Sequence, residues 1–249
     1  MKEINKYPIY AKSSEDNHKG FEICGLSKRY GATIALENVS FSVQPGEVCG
    51  LLGENGAGKS TLVKILSGVV KADAGSLSFN DKPYNPKNCQ DAIAYGVGTA
   101  YQELSLIPTL SVAINLVLPT PKSNIFGLVP SRKIEEEAVK ILHEFNVDNI
   151  RPEMLVENLS LGEMQRLEIV SAMLSQPNLL LLDEPTAALS DSEWLFKLID
   201  RNVSRGASVI YFTHKIDEVQ RICQHCIILR NGQKALVSFK RYGMGYFFL

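Results

Sequence analysis

The stretch Gly53–Ser60, GENGAGKS, is the most informative part of the chain. It fits the pattern G-x-x-x-x-G-K-S/T, in which glycines let a loop curl so that several backbone N–H groups converge on phosphate oxygens. The apolar run Val48–Leu52 before it is typical of a buried parallel strand, and the spacing of apolar residues over Lys59–Val69 predicts a helix after it. The sequence therefore predicts a strand, a phosphate-binding loop and a helix in succession.

The chemistry of this loop suggests a role for each part. The helix that follows points its positive N-terminal end at the bound anion. We expect Lys59 to bridge the β- and γ-phosphates of ATP and Ser60 to hold Mg²⁺. The predicted nucleotide-binding residues of this segment are Gly53, Glu54, Asn55, Gly56, Ala57, Gly58, Lys59, Ser60 and Thr61.

A second apolar run, Leu179–Leu182, ends in the two carboxylates Asp183 and Glu184. Open α/β sheets place their ligands at such strand ends. Asp183 suits coordination of Mg²⁺ through water, and Glu184 suits a base that polarises an attacking water. Acidic residues often finish strands, so this signal gains its weight from the phosphate-binding loop.

Strands alternate with helices along the rest of the chain, which predicts a mainly parallel α/β core. Apolar spacing predicts helices over Ile134–Phe145 and Leu161–Leu174, and Asn231-Gly232 between two apolar runs predicts a hairpin. We interpret the helical middle of the chain as an inserted lobe. The expected organisation is a mobile tail (1–20), one domain (21–240, with its core at 21–100 and 166–238 and its lobe at about 101–165) and an atypical C-terminal tail (241–249).

The composition narrows the class of protein. A formal net charge of −1 provides no basic field of the kind that attracts nucleic acid. The polar segment Met1–Gly20 does not resemble a signal peptide, and no run of about 18 apolar residues could span a bilayer. We therefore expect a cytoplasmic protein that reaches any membrane through a partner.

The segment Leu159–Gln165, LSLGEMQ, resembles the signature sequence of ABC ATPases and precedes the acidic strand. Further positions that match the family in order and spacing are Tyr30, Gln102, Pro185–Ser190 and His214. The resemblance implies an α/β P-loop NTPase fold. It would comprise a RecA-like parallel core sheet with flanking helices, an N-terminal antiparallel β-subdomain and an inserted ABC helical lobe.

The resemblance also implies roles for the matched residues. Tyr30 would stack on adenine, Gln102 would touch Mg²⁺ and the attacking water, and His214 would contact the γ-phosphate. On local sequence alone, Tyr30 also fits a core tyrosine and His214 a structural histidine. The predicted catalytic residues are Glu184, His214 and Gln102, and the predicted metal-binding residues are Ser60, Gln102 and Asp183.

Ser160, Gly162 and Glu163 open a predicted helix, and the resemblance implies that they meet the γ-phosphate of an ATP held by another cassette. One chain then supplies half of each composite site. The expected partner is a second ATP-binding cassette, either another copy of this chain or a tandem or heterologous one.

Several segments are similar to the ATPase subunits of ribose, galactose and xylose importers, namely Gln102–Pro108, Leu161–Glu163, Thr186–Ser190 and Lys215–Val219. This similarity implies monosaccharide import driven by ATP hydrolysis at the cytoplasmic face of the membrane. The implied partners are transmembrane permease subunits and, indirectly, a sugar-binding protein, without nucleic acid.

Those importer subunits usually carry two cassettes in tandem, and Arg241–Leu249 does not resemble the start of a second one. Both a truncated chain and a genuine single-cassette subunit fit this sequence. Two other functions stay open: a soluble ABC ATPase without a transport role, and a truncated cassette that binds ATP but hydrolyses it poorly. The near-neutral charge argues against a ribosome- or DNA-acting ATPase.

Overall fold

The computed structural model describes residues 20–117 and 131–237. The predicted tails 1–20 (apart from Gly20) and 241–249 lie outside this part, as do residues 118–130 of the predicted lobe. The strands are β1 (Phe21–Tyr30), β2 (Thr33–Val43), β3 (Val48–Leu52), β4 (Ala74–Phe79), β5 (Lys82–Pro83), β6 (Val97–Ala100), β7 (Leu179–Asp183), β8 (Ser208–Thr213), β9 (His225–Arg230) and β10 (Gln233–Val237). The helices are α1 (Lys59–Leu66), α2 (Cys89–Ala94), α3 (Val112–Val117), α4 (Ser131–Glu144), α5 (Leu161–Met173), α6 (Ser192–Val203) and α7 (Ile216–Ile222), with a 3-10 turn at Val156–Asn158.

The larger sheet has the strand order β10-β9-β3-β8-β7-β6. All of its neighbouring strands pair in parallel except β9 and β10, which form the predicted antiparallel hairpin. Leu52 pairs with Thr213, and Asp183 pairs with Phe212, so β3, β7 and β8 end side by side. This register brings the loops after all three strands to one edge of the sheet.

The four leucines of β7 show how this sheet is covered on both faces. Leu179 and Leu181 pack in a buried cluster that includes α1, while Leu180 and Leu182 pack in a second cluster that includes α5. Alternate residues of a strand point to opposite faces, so a continuous apolar run fits a strand that is buried on both sides. The predicted parallel core is confirmed.

The smaller sheet is antiparallel, with the order β2-β1-β4-β5. Phe21 pairs with Val43 on one side and with Phe79 on the other. Leu62 of α1 shares a buried cluster with Phe21 of this sheet and Phe212 of the larger one. Helix α1 therefore packs between the two sheets, and the predicted N-terminal antiparallel subdomain is confirmed.

Helix α1 is shorter than the apolar spacing predicts, because it ends at Leu66 rather than Val69. Gly68 has φ +77°, and a Cβ there would lie 2.6 Å from the carbonyl oxygen of Asn88. Only glycine adopts this turn easily, and the turn redirects the chain before the next apolar residue of the pattern.

Among the described residues, no helix combines the length and the hydropathy needed to cross a membrane.

Candidate active site

The backbone of the loop between β3 and α1 requires its glycines. Gly56 and Gly58 have φ +83° and +105°, values that other residues adopt only with strain. A Cβ on Gly58 would lie 2.5 Å from the carbonyl oxygen of Ala35, and one on Gly53 would lie 2.8 Å from that of Leu229. The loop is therefore fixed in its curl by contact with β2 and β9.

The first turn of α1 is left open for an anion. Its N-cap residue, Gly58, has no side chain to accept a hydrogen bond, and the first turn contains no acidic residue. The N–H groups at the start of a helix have no partner within the helix, so they are available to a phosphate. Thr61 is half-buried in this turn, Ser60 is exposed beside it, and Ala57 is buried behind it. Glu54 and Asn55 are exposed.

Lys59 lies in the centre of the site, with its side chain only 7% exposed. Its ammonium donates to the carbonyl oxygen of Gly53 at 2.5 Å and lies 3.6 Å from Oε1 of Glu184. Buried charges need a partner of opposite sign, and Glu184 is that partner here. A phosphate carries negative charge and a carbonyl oxygen does not, so this ammonium is placed to bind a phosphate in the loop.

Glu184 also contacts the predicted histidine. Nδ1 of His214 lies 2.9 Å from Oε2 and 3.0 Å from Oε1 of Glu184. Glu184 itself is buried and has φ +47°, and its N–H donates to the carbonyl oxygen of Phe212 at 3.0 Å. His214 is 61% exposed, so its ring is not part of the buried core. The carboxylate of Glu184 thus lies between Lys59 and an imidazole that faces solvent.

Asp183 ends β7, and its carboxyl is buried. Burial, reinforced by the neighbouring Glu184 and opposed by Lys59 and Lys64, raises the pKa of Asp183 to about 6. Its Oδ1 has no hydrogen-bond partner. A buried carboxylate oxygen without a donor suits a hydrated cation, because bound water or the ion itself would satisfy it.

Ser60, Gln102 and Asp183 line one cavity of about 220 Å³. These are the three residues predicted to bind Mg²⁺, and the structure brings them together. Across residues 20–117 and 131–237, no three His, Cys, Asp or Glu side chains form a metal-binding group. Mg²⁺ typically combines one or two carboxylates with water and substrate phosphates, so the residues fit Mg²⁺ in company with a nucleotide.

The signature residues lie at the start of α5 and contact a different set of residues. Ser160 is the N-cap of α5, and Glu163 completes a capping box with it: N–H and Oγ of Ser160 donate to Oε2 of Glu163 at 2.9 and 2.7 Å. These two hydrogen bonds, chiefly that from the hydroxyl, lower the pKa of Glu163. A Cβ on Gly162 would lie 3.0 Å from the carbonyl oxygen of Ala188, so this glycine allows close approach of the loop after Glu184.

Tyr30 lies at the end of β1 and is 47% exposed. The reading of Tyr30 as a core tyrosine is therefore wrong. The ammonium of Lys28 lies 5.6 Å from the centre of its ring, and Lys28 is in turn paired with Asp73 at 2.7 Å. An exposed aromatic ring can stack on a flat ligand.

The loop that carries Gln102 is anchored by Glu168 of α5, a residue that the motifs do not indicate. The buried carboxylate of Glu168 accepts from N–H of Tyr101 at 3.3 Å and from N–H and Oγ of Ser105 at 3.0 and 2.9 Å. Burial raises the pKa of Glu168, against the effect of these hydrogen bonds. In the sequence, this role is indicated by an acidic side chain on the apolar face of the helix predicted over Leu161–Leu174.

Solved structures with this architecture are ATP-binding cassettes. A nucleotide-free cassette from an ABC transporter matches with a TM-score of 0.76 at 26% identity, covering 88% of this chain and 90% of that one. A dimeric cassette in a post-hydrolysis state, bound to ADP and Pi, matches with a TM-score of 0.76 at 25% identity, covering 90% and 100%. These likenesses confirm the predicted P-loop NTPase fold.

Two sequence relatives confirm the predicted resemblance to importer subunits. The ribose import ATP-binding protein RbsA of Caldanaerobacter subterraneus subsp. tengcongensis is 43% identical over 210 residues, which are 84% of this chain and 42% of that protein. The arabinose import ATP-binding protein AraG of Rhizobium meliloti is 42% identical over 216 residues, 86% of this chain and 42% of that protein. The chain thus spans less than half the length of these relatives. The family model described as ABC transporter matches residues 36–187, more than half of the chain, and the chain belongs to that family.

Proposed function

We propose that this chain binds Mg²⁺-ATP and hydrolyses it as an ATP-binding component of a monosaccharide importer. The observation that supports this most strongly is the arrangement of Lys59, Asp183, Glu184 and His214 beside an uncapped helix and a glycine loop. The two relatives described above are named for ribose and arabinose import, which favours a monosaccharide as the transported solute.

Each side chain has a task in this proposal. The loop N–H groups and Lys59 bind the β- and γ-phosphates, and Tyr30 stacks on the adenine. Ser60, Gln102 and Asp183 hold Mg²⁺, which when bound would neutralise charge on the phosphates. Glu184 accepts a hydrogen bond from the attacking water and draws its proton away.

His214 is placed to orient Glu184 through the contact between Nδ1 and the carboxylate, and its exposed edge is available to the γ-phosphate. Gln102 lies in the same cavity as Asp183, from which its amide can orient the attacking water. The three catalytic residues of the proposal are thus Glu184, His214 and Gln102.

The proposed partner at the composite site is a second ATP-binding cassette, either another copy of this chain or a different one. The dimeric cassette among the solved structures supports a dimer. Ser160, Gly162 and Glu163 would meet the nucleotide held by that partner. The proposed location is the cytoplasmic face of the membrane, peripherally bound to transmembrane permease subunits and served by a sugar-binding protein, with no role for nucleic acid.

The Lys59→Ala variant tests nucleotide binding. A hydrogen bond to a charged group contributes roughly 1.5–3 kcal/mol, so we expect ATP affinity to fall by roughly 10- to 100-fold in a calorimetric titration. Lys82→Ala, which removes an exposed lysine on β5, is the matched control and should bind ATP like the wild type. Equal affinity in the two variants would exclude the proposed phosphate site.

The transport part of the proposal needs a separate experiment. Co-expression with a monosaccharide permease, followed by purification in detergent, should yield a complex whose ATPase rate rises when the sugar-loaded binding protein is added. An ATPase rate that changes with neither the permease nor the binding protein would favour the soluble ABC ATPase over an importer component.

A further inference from the structure

A buried carboxylate, Glu218 of α7, lies behind the catalytic residues. It falls in the segment Lys215–Val219, but it is not one of the predicted site residues. Its side chain is 8% exposed. Oε1 accepts from the hydroxyl of Thr186 at 2.6 Å, and Oε2 accepts from the hydroxyl of Tyr211 at 2.7 Å. The ammonium of Lys215 lies 3.1 Å from Oε1.

The donors to this carboxylate come from the two chain segments that carry the catalytic pair. Thr186 stands two residues after Glu184, and Lys215 directly follows His214. Nζ of Lys215 also donates to the hydroxyl of Thr186 at 3.0 Å, which closes a ring of hydrogen bonds. Glu218 therefore ties the loop after β7 to the loop after β8.

The backbone at Glu184 shows why such a tie is needed. Its φ of +47° is a conformation that a residue with a side chain adopts at a cost. Strain of this kind persists only where surrounding contacts hold the residue in place. The N–H of Glu184 is held by Phe212, and the chain that leaves it is held at Thr186 by the carboxylate of Glu218.

The negative charge of Glu218 is buried, and its positive partner Lys215 is partly exposed. Thr186 and Tyr211 are buried hydroxyl donors, and Lys215 supplies the compensating positive charge. Burial and the neighbouring Glu218 raise the pKa of Tyr211, which keeps this hydroxyl protonated as a donor. A fully satisfied polar network in a low-dielectric interior has one preferred geometry, so it fixes the groups attached to it.

We propose that Glu218 is a positioning residue that sets the separation of Glu184 and His214 by holding Thr186 and Lys215 together. This inference rests on the proposed ATP hydrolysis. It implies that loss of a hydrogen bond in the ring slows the chemical step without weakening nucleotide binding, because none of the ring residues belongs to the phosphate-binding loop.

The test compares Thr186→Val with Thr186→Ser. Valine keeps the shape of threonine but removes the donor to Glu218, whereas serine keeps the hydroxyl and loses a methyl group. We expect kcat to fall by roughly 10- to 100-fold in Thr186→Val, while KM and the affinity for ATP stay within about twofold of the wild type. Thr186→Ser should retain most of the wild-type kcat, and Glu218→Gln should resemble Thr186→Val.

Folding is followed by thermal unfolding of each variant, and rates are expressed per folded molecule. The positioning role is excluded by a Thr186→Val enzyme with the wild-type kcat, by equal losses in kcat and ATP affinity, or by a Thr186→Ser variant as slow as Thr186→Val.

A second readout does not depend on turnover. The NMR chemical shifts of the His214 ring should change in Thr186→Val and stay close to the wild type in Thr186→Ser. A wild-type chain without ATPase activity would contradict the proposed function. In that case unchanged His214 signals in Thr186→Val would contradict the positioning role as well, and changed signals would support it.

Discussion

The starts of α1 and α5 are two helix N-termini that the sequence assigns to phosphate binding, and they are built in opposite ways. Helix α1 begins at Lys59, after the N-cap residue Gly58, without a side-chain cap and without an acid in its first turn, beside the buried carboxyl of Asp183. Helix α5 begins with a complete capping box formed by Ser160 and Glu163.

The difference also appears in the carboxyl groups. Burial raises the pKa of Asp183 to about 6, and its Oδ1 has no hydrogen-bond partner. Hydrogen bonds from Ser160 lower the pKa of Glu163, whose two oxygens both accept hydrogen bonds. The site at α1 thus keeps polar groups that need a ligand, whereas the polar groups at the start of α5 are hydrogen-bonded to one another. Removing the charge of Asp183 should therefore stabilise the chain, whereas removing the hydroxyl of Ser160 should destabilise it.

The largest expected effect concerns catalysis at the first site. In Glu184→Gln the side chain keeps its shape but loses the basic oxygen, so ATP should still bind while the steady-state ATPase rate falls by roughly 10²- to 10⁴-fold. Glu22→Gln, an exposed change of the same kind on β1, should leave the rate unchanged.

The same variant tests the composite site. With hydrolysis blocked, light scattering should show a dimer that forms only with Mg²⁺-ATP. Full hydrolysis by Glu184→Gln would remove this residue from the mechanism. A variant that binds ATP yet stays monomeric would indicate that the second cassette is a different chain.

The second prediction concerns the pH dependence of stability. A carboxyl whose pKa is higher in the folded chain than the value of 3.8 in the unfolded one destabilises the fold as pH rises through the interval between the two. A shift from 3.8 to about 6 corresponds to roughly 3 kcal/mol of lost stability at pH 7. Asp183→Asn has no such charge, so its stability relative to the wild type should increase by about this amount between pH 4 and pH 7.

Urea unfolding in the presence of a metal chelator measures this difference. In the same assay without the chelator, Mg²⁺-ATP should stabilise the wild type more than Asp183→Asn, because only the wild type has the carboxylate that is proposed to hold Mg²⁺. If the free energies of unfolding of the two proteins changed in parallel across this pH range, burial would not raise the pKa of Asp183.

Much of this comparison could be predicted from the sequence because it depends on local patterns. The glycine loop, the leucine run of β7 and the Asn231-Gly232 turn are each encoded within about ten residues. The apolar spacing places the end of α1 three residues too late, at Val69, because spacing alone does not take account of the turn at Gly68. The contact of Gly68 with Asn88, from another part of the chain, appears only in the structure.

The contacts that organise the site join residues that are far apart in the chain. His214 and Glu184 are 30 residues apart, and Glu168 and Ser105 are 63 apart. Their approach depends on the order of strands in the larger sheet, where β7 lies between β6 and β8. Alternating strands and helices predict a parallel sheet but leave the strand order undetermined, so the contacts of Glu168 and Glu218 became visible only in the structure.

The smallest expected effect lies at the start of α5. Ser160→Ala removes the hydroxyl that accepts from N–H of Glu163 and donates to its carboxylate. Loss of an N-cap side chain typically costs about 1 kcal/mol, so urea unfolding should show the chain destabilised by about that much. Ser160→Thr keeps a hydroxyl at the cap and should recover most of the loss.

The direction of the change in stability distinguishes the start of α5 from the start of α1. If α5 were an open anion site like α1, removal of a side chain from its cap would leave stability unchanged or raise it, and Mg²⁺-ATP would stabilise the isolated chain less in the variant than in the wild type. We expect instead a loss of stability in Ser160→Ala that is the same with and without Mg²⁺-ATP in the monomer. The double variant Glu184→Gln/Ser160→Ala is then compared with Glu184→Gln for the affinity of its ATP-dependent dimer. A lower dimer affinity in the double variant would place Ser160 at the composite interface. An unchanged dimer affinity would limit the role of Ser160 to capping α5.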